Sequence, residues 1–369
     1  MTPGKYFDNY PHLLILSIGW LFVQGGILCF NPIYTDGEAL RIIREAGHFN
    51  DGVPFSSPVY YTYLTEILLT SISLKAGHFW LNYIVHLLLN LLALHCFYHL
   101  SLQWLASRFL AFTGSILLLI CIPYQLYNTF IYTESIFYSL IIVYAFLLFR
   151  NGKRTGGWLA VTILVLLIIC ITRPSGIFVV AATIVYGFYK LHGIPPILRW
   201  AVLIVPLAGV GFWVNTGMQT GGGINVMEPF LREHIICDAP TLSTPATLKL
   251  SDQPQSLFGL LYYIVHNFPH FIQLASQKTI AFFGLFRPWY STMHNIALGL
   301  FFYPLYLCIG VALWRKKMND FILFALTLMI IHWVFVMMSC DEWHNRFFLT
   351  LTPFLIIIAL HLFKRERLR

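Results

Sequence analysis

Apolar residues recur along this chain in long unbroken runs, separated by short polar interruptions rather than by a regular amphipathic alternation. The runs lie near 12–30, 59–76, 81–100, 109–126, 130–149, 157–172, 175–190, 200–217, 295–314, 319–338 and 346–363. A helix needs about 20 apolar residues to cross a hydrocarbon core, so the pattern predicts an all-α, polytopic transmembrane bundle of about 10–12 spans. Two regions depart from it. In "DGEALRIIREAG", 36–47, apolar positions 39, 40, 42, 43 and 46 oppose Glu38, Arg41, Arg44 and Glu45, which predicts a short amphipathic helix on the outer surface with Thr35 or Asp36 as N-cap. The stretch 218–256 is rich in Gly, Pro, Ser and Thr; 257–290 then returns to an apolar-aromatic pattern broken by Pro269 and Pro288. The latter predicts one or two helices lying along, or dipping into, the outer interface.

Composition turns this pattern into a class. The chain is 58% hydrophobic and 10% charged, where a soluble domain carries about 25% charge. A single transmembrane domain over 1–369 is expected. The formal charge of +8 does not indicate nucleic acid, because the basic residues sit in short clusters between apolar runs: Arg150–Arg154, Lys190–Arg199, Arg315–Lys317 and the tail 364–369. That is the positive-inside pattern of cytoplasmic loops. The clusters are separated by two spans each, which puts 131–134, the 172–175 turn, the 218–290 segment and the 339–346 loop outside. With Lys5 also inside, one of the first four runs must be re-entrant, interfacial or split, and 109–128, interrupted by Pro123, is the expected one. The first run follows Lys5 without a small-residue cleavage site and reads as an uncleaved anchor. The seven Cys are scattered singly and read as small hydrophobes, not as a disulfide frame or zinc site.

Ionisable residues near or inside spans cost about 2.5–3.5 kcal/mol each at a helix centre on insertion scales, so each is a functional candidate. Asp36 and Glu38 follow the first run; Glu134 opens the 130–149 run in "YTES"; Arg173 interrupts an apolar stretch in "TRPSG"; Asp341, Glu342, His344 and Arg346 crowd "CDEWHNRFF". Each has an ordinary explanation: a loop cap, an interfacial turn, an Arg snorkelling to headgroups, a solvated loop. What they share is a predicted side of the membrane. Glu66 and Lys75 read as facing a bundle crevice or interface, and His86, His95 and His99, lacking nearby acids in sequence, as structural. The aromatics of "FRPWY", 286–290, could belong to an interfacial belt or stack on a sugar or lipid. No GxSxG elbow, HExxH pair or P-loop is present.

The Asp-x-Glu after the first span, "YTES" entering a later span, "TRPSG" two spans on and "NRFFLTLTPFL" opening the last together resemble the membrane glycosyltransferases of the GT-C superfamily. Order and spacing are most similar to the branch holding the protein mannosyltransferases and the lipid A aminoarabinose transferase (glycosyltransferase family 39/83-like). The resemblance implies a polyprenyl- or dolichyl-phosphate sugar donor and a catalytic acid in the first outer loop, 31–58. It matches Asp36 to that acid, Glu38 to its partner, Glu134 to the acid of the "T/P-E" motif, Arg173 to the Arg of "RP-G" and Arg346 to the Arg before the last span. Against that branch the chain reads as shorter and without its large soluble C-terminal domain, and on that expectation the acceptor stays open.

Chemistry assigns roles to the same residues. A hydroxyl nucleophile needs a base, Asp36 with Glu38 as alternative or orienting partner. A departing lipid phosphate needs cations, for which Arg173, Arg346 and then His344 are the candidates, with Glu134, Asp341 and Glu342 supporting. One base opposite a phosphate leaving group predicts inversion. The Asp-x-Glu pair also offers oxygen ligands suited to a divalent ion, but the resembled branch generally works without one and no metal or cofactor is assigned. The expected partners are the lipid-linked donor, a glycan, lipid or protein acceptor, and membrane lipids. The expected place is a bacterial inner membrane with the site facing the periplasm. A carrier or flippase of lipid-linked sugars is the alternative, and it calls for inverted repeats and paired broken helices; a non-catalytic membrane subunit is the third reading.

Overall fold

The structure is a computed structural model, and it describes residues 10–150, 156–191, 193, 195–219, 227–237, 239, 248–315 and 318–364. Lys5 and residues 151–154, 316–317 and 365–369, on which the side assignment leans, lie outside the described residues, as do 220–226, 238 and 240–247 of the polar segment. Among the described residues the chain is helical, with two isolated β-bridges and no named strand. In chain order the helices are α1 (Tyr10–Phe30), α2 (Glu38–Asn50), α3 (Leu64–Ala76, entered through a 3₁₀ turn at Pro58–Tyr63), α4 (Trp80–Leu105), α5 (Arg108–Ile120), α6 (Ile122–Gln125), α7 (Glu134–Phe149), α8 (Gly156–Cys170), α9 (Gly176–Lys190), α10 (Pro196–Gln219), α11 (Glu228–Leu231), α12 (Leu257–His266), α13 (Phe268–Gly284), α14 (Thr292–Arg315), α15 (Asp320–Met338), α16 (Arg346–Leu349) and α17 (Thr352–His361).

Every apolar run therefore forms helix. Among the described residues, α1, α4, α14 and α15 are long and apolar enough to cross, or five spans if the bent pair Arg108–Ile120 and Ile122–Thr129 is one. That pair bends by 67°, at the run expected to be irregular. Pro123 explains the break, since it cannot continue α5 but fits the first turn of α6. Of the remaining runs, 134–149 and 352–361 form helices too short to cross singly, whereas α10 is 24 residues long.

The helices belong to two compact units, the first holding residues 1–179, 305–321 and 352–369, the second 180–304 and 322–351. In the first unit, α7 and α17 are hydrophobic all round and buried nearly throughout, the signature of central helices. Around them Leu16, Trp20, Leu94, Tyr98, Ala111 and Leu119 form one core cluster. By contrast α8 buries only Thr162 and Ile169 and exposes Leu159, Val161, Ile163, Leu164 and Leu167. So large an apolar face is untenable in water and normal against lipid. The protein is a multi-pass membrane protein.

The amphipathic prediction at 36–47 needs correction. The helix starts at Glu38, its N-cap is Gly37, and no side chain caps it. Its polar face is not wholly solvated either: Glu45 is buried with Ala39, Ile42 and Ala46. The carboxylate accepts hydrogen bonds from the Ser56 hydroxyl at 2.5 Å, the Ser56 N–H at 2.9 Å and Arg44 Nε at 3.2 Å. Burial pushes Glu45 upward, but the Ser56 bonds and then Arg44 and His48 prevail and hold it below the ordinary carboxylate value.

Candidate functional site

In the first unit three loops interlock. After α1 the chain turns at Asn31 and Pro32, and Tyr34 forms a parallel bridge with Phe130. The Tyr34 N–H donates to Thr129 O at 2.8 Å, and the Ile131 N–H donates to Tyr34 O at 3.2 Å. The Tyr34 ring packs on those of Phe130 and Tyr132. The Tyr132 hydroxyl then clamps the acidic turn from both sides, accepting the Glu38 N–H at 3.3 Å and donating to Asp36 O at 3.5 Å. Gly37 lies between the two acids with φ 62°, and a Cβ there would sit 3.0 Å from the Tyr132 hydroxyl. That is why Gly separates the carboxylates. The turn leaves Asp36 exposed. Among the described residues no hydrogen bond or ion pair engages its carboxylate.

Two residues beyond Tyr132, Glu134 opens α7, where a helix N-terminus favours negative charge. It is buried and pairs with Arg173 Nη1 at 2.7 Å. Arg173 begins the "RPSG" turn, closed by the Gly176 N–H donating to Arg173 O at 2.8 Å. A Cβ on Gly176 would lie 2.5 Å from Ile169 O, so this glycine permits a close backbone approach. The turn is tied to the start of α3 by the Thr65 N–H on Ile171 O at 3.3 Å and the Thr65 hydroxyl on Thr172 Oγ1 at 3.1 Å. Of the residues singled out in the sequence, Asp36, Glu38, Glu134 and Arg173 thus belong to one interlocked set.

Beneath them runs a buried polar network that the sequence reading missed. His86 Nε2 faces Glu66 Oε2 at 3.0 Å and its Nδ1 faces Asn128 O at 3.3 Å. Asn82 Nδ2 donates to Glu66 Oε1 at 2.9 Å and Thr70 Oγ1 at 2.8 Å. The Asn128 side chain accepts from Ser135 Oγ at 2.6 Å and donates to Gln24 Oε1 at 3.2 Å. His86 therefore does have an acid beside it, brought from another helix. Glu66 is buried against α4, while Lys75 on the same helix as Glu66 is exposed. The available signal was the i,i+4 spacing of Glu66 with Thr70 and of Asn82 with His86, which puts each pair on one helix face.

The second unit holds the rest: Asp341, Glu342, His344 and Arg346. Asp341 is buried and pairs with Arg287 at 2.5 Å. Burial pushes its carboxyl up to about 6 against the pull of Arg287. The other Arg287 amino group donates to Ala281 O at 2.9 Å and Phe286 O at 3.2 Å. Arg346 pairs with Glu342 at 2.5 Å. The Tyr290 hydroxyl lies 3.4 Å from His344 Nδ1, and the Tyr290 ring stacks on His294 and His344. Trp289 packs on Trp343, so the "FRPWY" aromatics meet the 339–346 loop. A parallel bridge joins Ile236 to Asp341, and a disulfide links Cys237 to Cys340. This corrects the reading of all Cys as small hydrophobes. The two lie 103 residues apart, which no spacing rule connects.

Comparison with family models, with characterised proteins and with solved structures yields no match. Chemical capacity is therefore read from the residues. Arg173 and Arg346, expected as cations for a phosphate, each already carry a carboxylate. Asp36 is the candidate acid left open to a substrate hydroxyl. No group of three or more His, Cys, Asp or Glu among the described residues is placed to hold a metal.

Proposed function

We propose that this protein is a membrane glycosyltransferase that moves a sugar from a polyprenyl-phosphate donor to a hydroxyl acceptor on the outer face, with inversion. The observation that carries the reading is Asp36: an unengaged, exposed carboxylate on a turn clamped by Tyr132 and locked to the loop that presents the Glu134–Arg173 pair. Asp36 takes the acceptor proton as the hydroxyl oxygen attacks the anomeric carbon. The bond from that carbon to the phosphate oxygen breaks, and the lipid phosphate leaves with the electron pair. Glu134 orients Arg173, whose guanidinium meets the charge developing on the phosphate. The Cys237–Cys340 disulfide supports an outer, oxidising location for the long segment and the last loop, independently of the loop charges. A bacterial inner membrane with a periplasmic site is part of the proposal.

The test is sugar transfer by the full-length protein in lipid nanodiscs, supplied with polyprenyl-phosphate sugars. Asp36→Asn should lose about 10²–10⁴-fold in rate with an unchanged melting temperature. Normal transfer by that variant removes the assignment. One observation favours a carrier of the same lipid: the break between Arg108–Ile120 and Ile122–Thr129, of the kind transporters use. A carrier would move lipid-linked sugar across vesicle membranes and tolerate Asp36→Asn.

A further inference from the structure

His86 and Glu66 are both buried, and the proposed transfer uses neither. Their hydrogen bonds fix where the protons sit. His86 Nδ1 faces Asn128 O at 3.3 Å. A carbonyl oxygen only accepts, so Nδ1 carries a hydrogen. His86 Nε2 faces Glu66 Oε2 at 3.0 Å, with one hydrogen between them, on the ring or on the carboxyl. Either form leaves the pair neutral overall, as a buried site demands. Asn82 Nδ2 holds the other Glu66 oxygen at 2.9 Å. An acid fixed behind one ring nitrogen orients the other, and here the other is aimed at Asn128.

Asn128 is a hub. Its side chain accepts from Ser135 of α7 and donates to Gln24 of α1, while its main chain meets His86 of α4. The next residue, Thr129, gives its carbonyl to the Tyr34 N–H at 2.8 Å, and Tyr34 O takes the Ile131 N–H at 3.2 Å. Tyr34 lies two residues before Asp36, and Tyr132, next after Ile131, clamps the acidic turn. No side chain caps α2, so the turn takes its place from the segment it is bridged to.

We propose that His86 is a positioning residue for Asp36: its Nδ1–H fixes Asn128, and through Thr129 and Tyr34 the turn that carries the base. This deepens the transferase reading and rests on it for the role of Asp36.

The experiment follows hydrogen–deuterium exchange of the full-length protein in lipid nanodiscs, read at the Tyr34 and Ile131 amides, beside thermal melting. Asn places its amide nitrogen near the position of Nδ1, whereas Gln places its own near that of Nε2. H86N therefore keeps the donor to Asn128 and strands Glu66; H86Q keeps the Glu66 contact and loses that donor. H86Q should speed exchange at both amides at least tenfold and leave α14 and α15 unchanged. H86N should exchange there as the native protein does, yet melt lower than H86Q. A residue that only fills space or satisfies Glu66 gives the reverse exchange order. Native exchange in H86Q, or equal acceleration in both variants, overturns the proposal. E66Q needs neither variant to fold: its amide can donate to Nε2 and still accept from Asn82, so both reporter amides should keep native rates. A tenfold acceleration in E66Q overturns the proposal too. In the transfer assay H86Q should lower kcat about tenfold or more with an unchanged donor KM, as misplacing a catalytic group does; a change confined to KM counts against it. Exchange needs no sugar, so a failed Asp36→Asn test leaves the exchange outcomes unchanged.

Discussion

The two units treat their acidic loops in opposite ways. In the first, the 31–38 loop is held by backbone hydrogen bonds and by one tyrosine hydroxyl, and the Asp36 carboxylate is left open. In the second, the 339–346 loop has a main-chain bridge as well, Ile236 to Asp341, but adds carboxylate pairs, Asp341 on Arg287 and Glu342 on Arg346, and a disulfide. Scaffolding that uses main-chain and hydroxyl groups leaves a carboxylate available for chemistry; scaffolding that uses carboxylates consumes them. Proximity in sequence to a span does not separate the two cases, since both loops are short, acidic and adjacent to apolar runs.

The largest expected effect separates the loops by activity. Asp36→Asn should abolish all but about 1% of transfer or less without changing stability, whereas Asp341→Asn should act first on stability. Equal losses of activity at equal melting temperature would remove the distinction. Next come the buried ion pairs, where losing one partner costs about 3–5 kcal/mol by leaving the other charge buried alone. Glu134→Gln and Arg287→Met should each show this as a fall in urea midpoint or melting temperature. The double variant Arg287→Met, Asp341→Leu should recover much of its loss, because no charge is then stranded. Removing the disulfide is expected to cost about 2–4 kcal/mol: Cys237→Ser should lower the melting temperature, and a thiol reductant should do the same to the native protein but not to the variant.

The smallest effect is a pair of opposite pH slopes. Glu45 is held below its unfolded value, so the stability it contributes is present at neutral pH and is lost as pH falls through the folded value. Asp341 is raised to about 6, above its unfolded value, so its contribution grows as pH falls from about 6 toward 4. Glu45→Gln should therefore flatten the acid-side fall in melting temperature and Asp341→Asn should steepen it. Slopes of the same sign would contradict the opposite environments of these two buried carboxylates.

Much of this was legible in the chain. Apolar runs located nearly every helix to within a few residues, because a continuous apolar run in lipid must satisfy its backbone internally. Pro123 marked the break between α5 and α6, since its ring and missing N–H act locally. Gly37 and Gly176 stood in the right places, although their reasons, a tyrosine hydroxyl and a carbonyl oxygen, came from 95 and seven residues away respectively. What stayed hidden was partnership. Nothing local in the sequence ties Glu66 to His86, Arg287 to Asp341 or Cys237 to Cys340.

The sequence by itself determined an all-helical membrane protein and marked where charge interrupts it, because burial of apolar runs and helix-breaking residues act over a few positions. Only the tertiary structure decided which of those charges are spent on one another and which remains open. Pairing depends on side chains from distant helices meeting within about 3 Å, as Glu134 meets Arg173 and Arg287 meets Asp341. The same packing left Asp36 open in one unit and Lys278 buried beside an aromatic ring in the other.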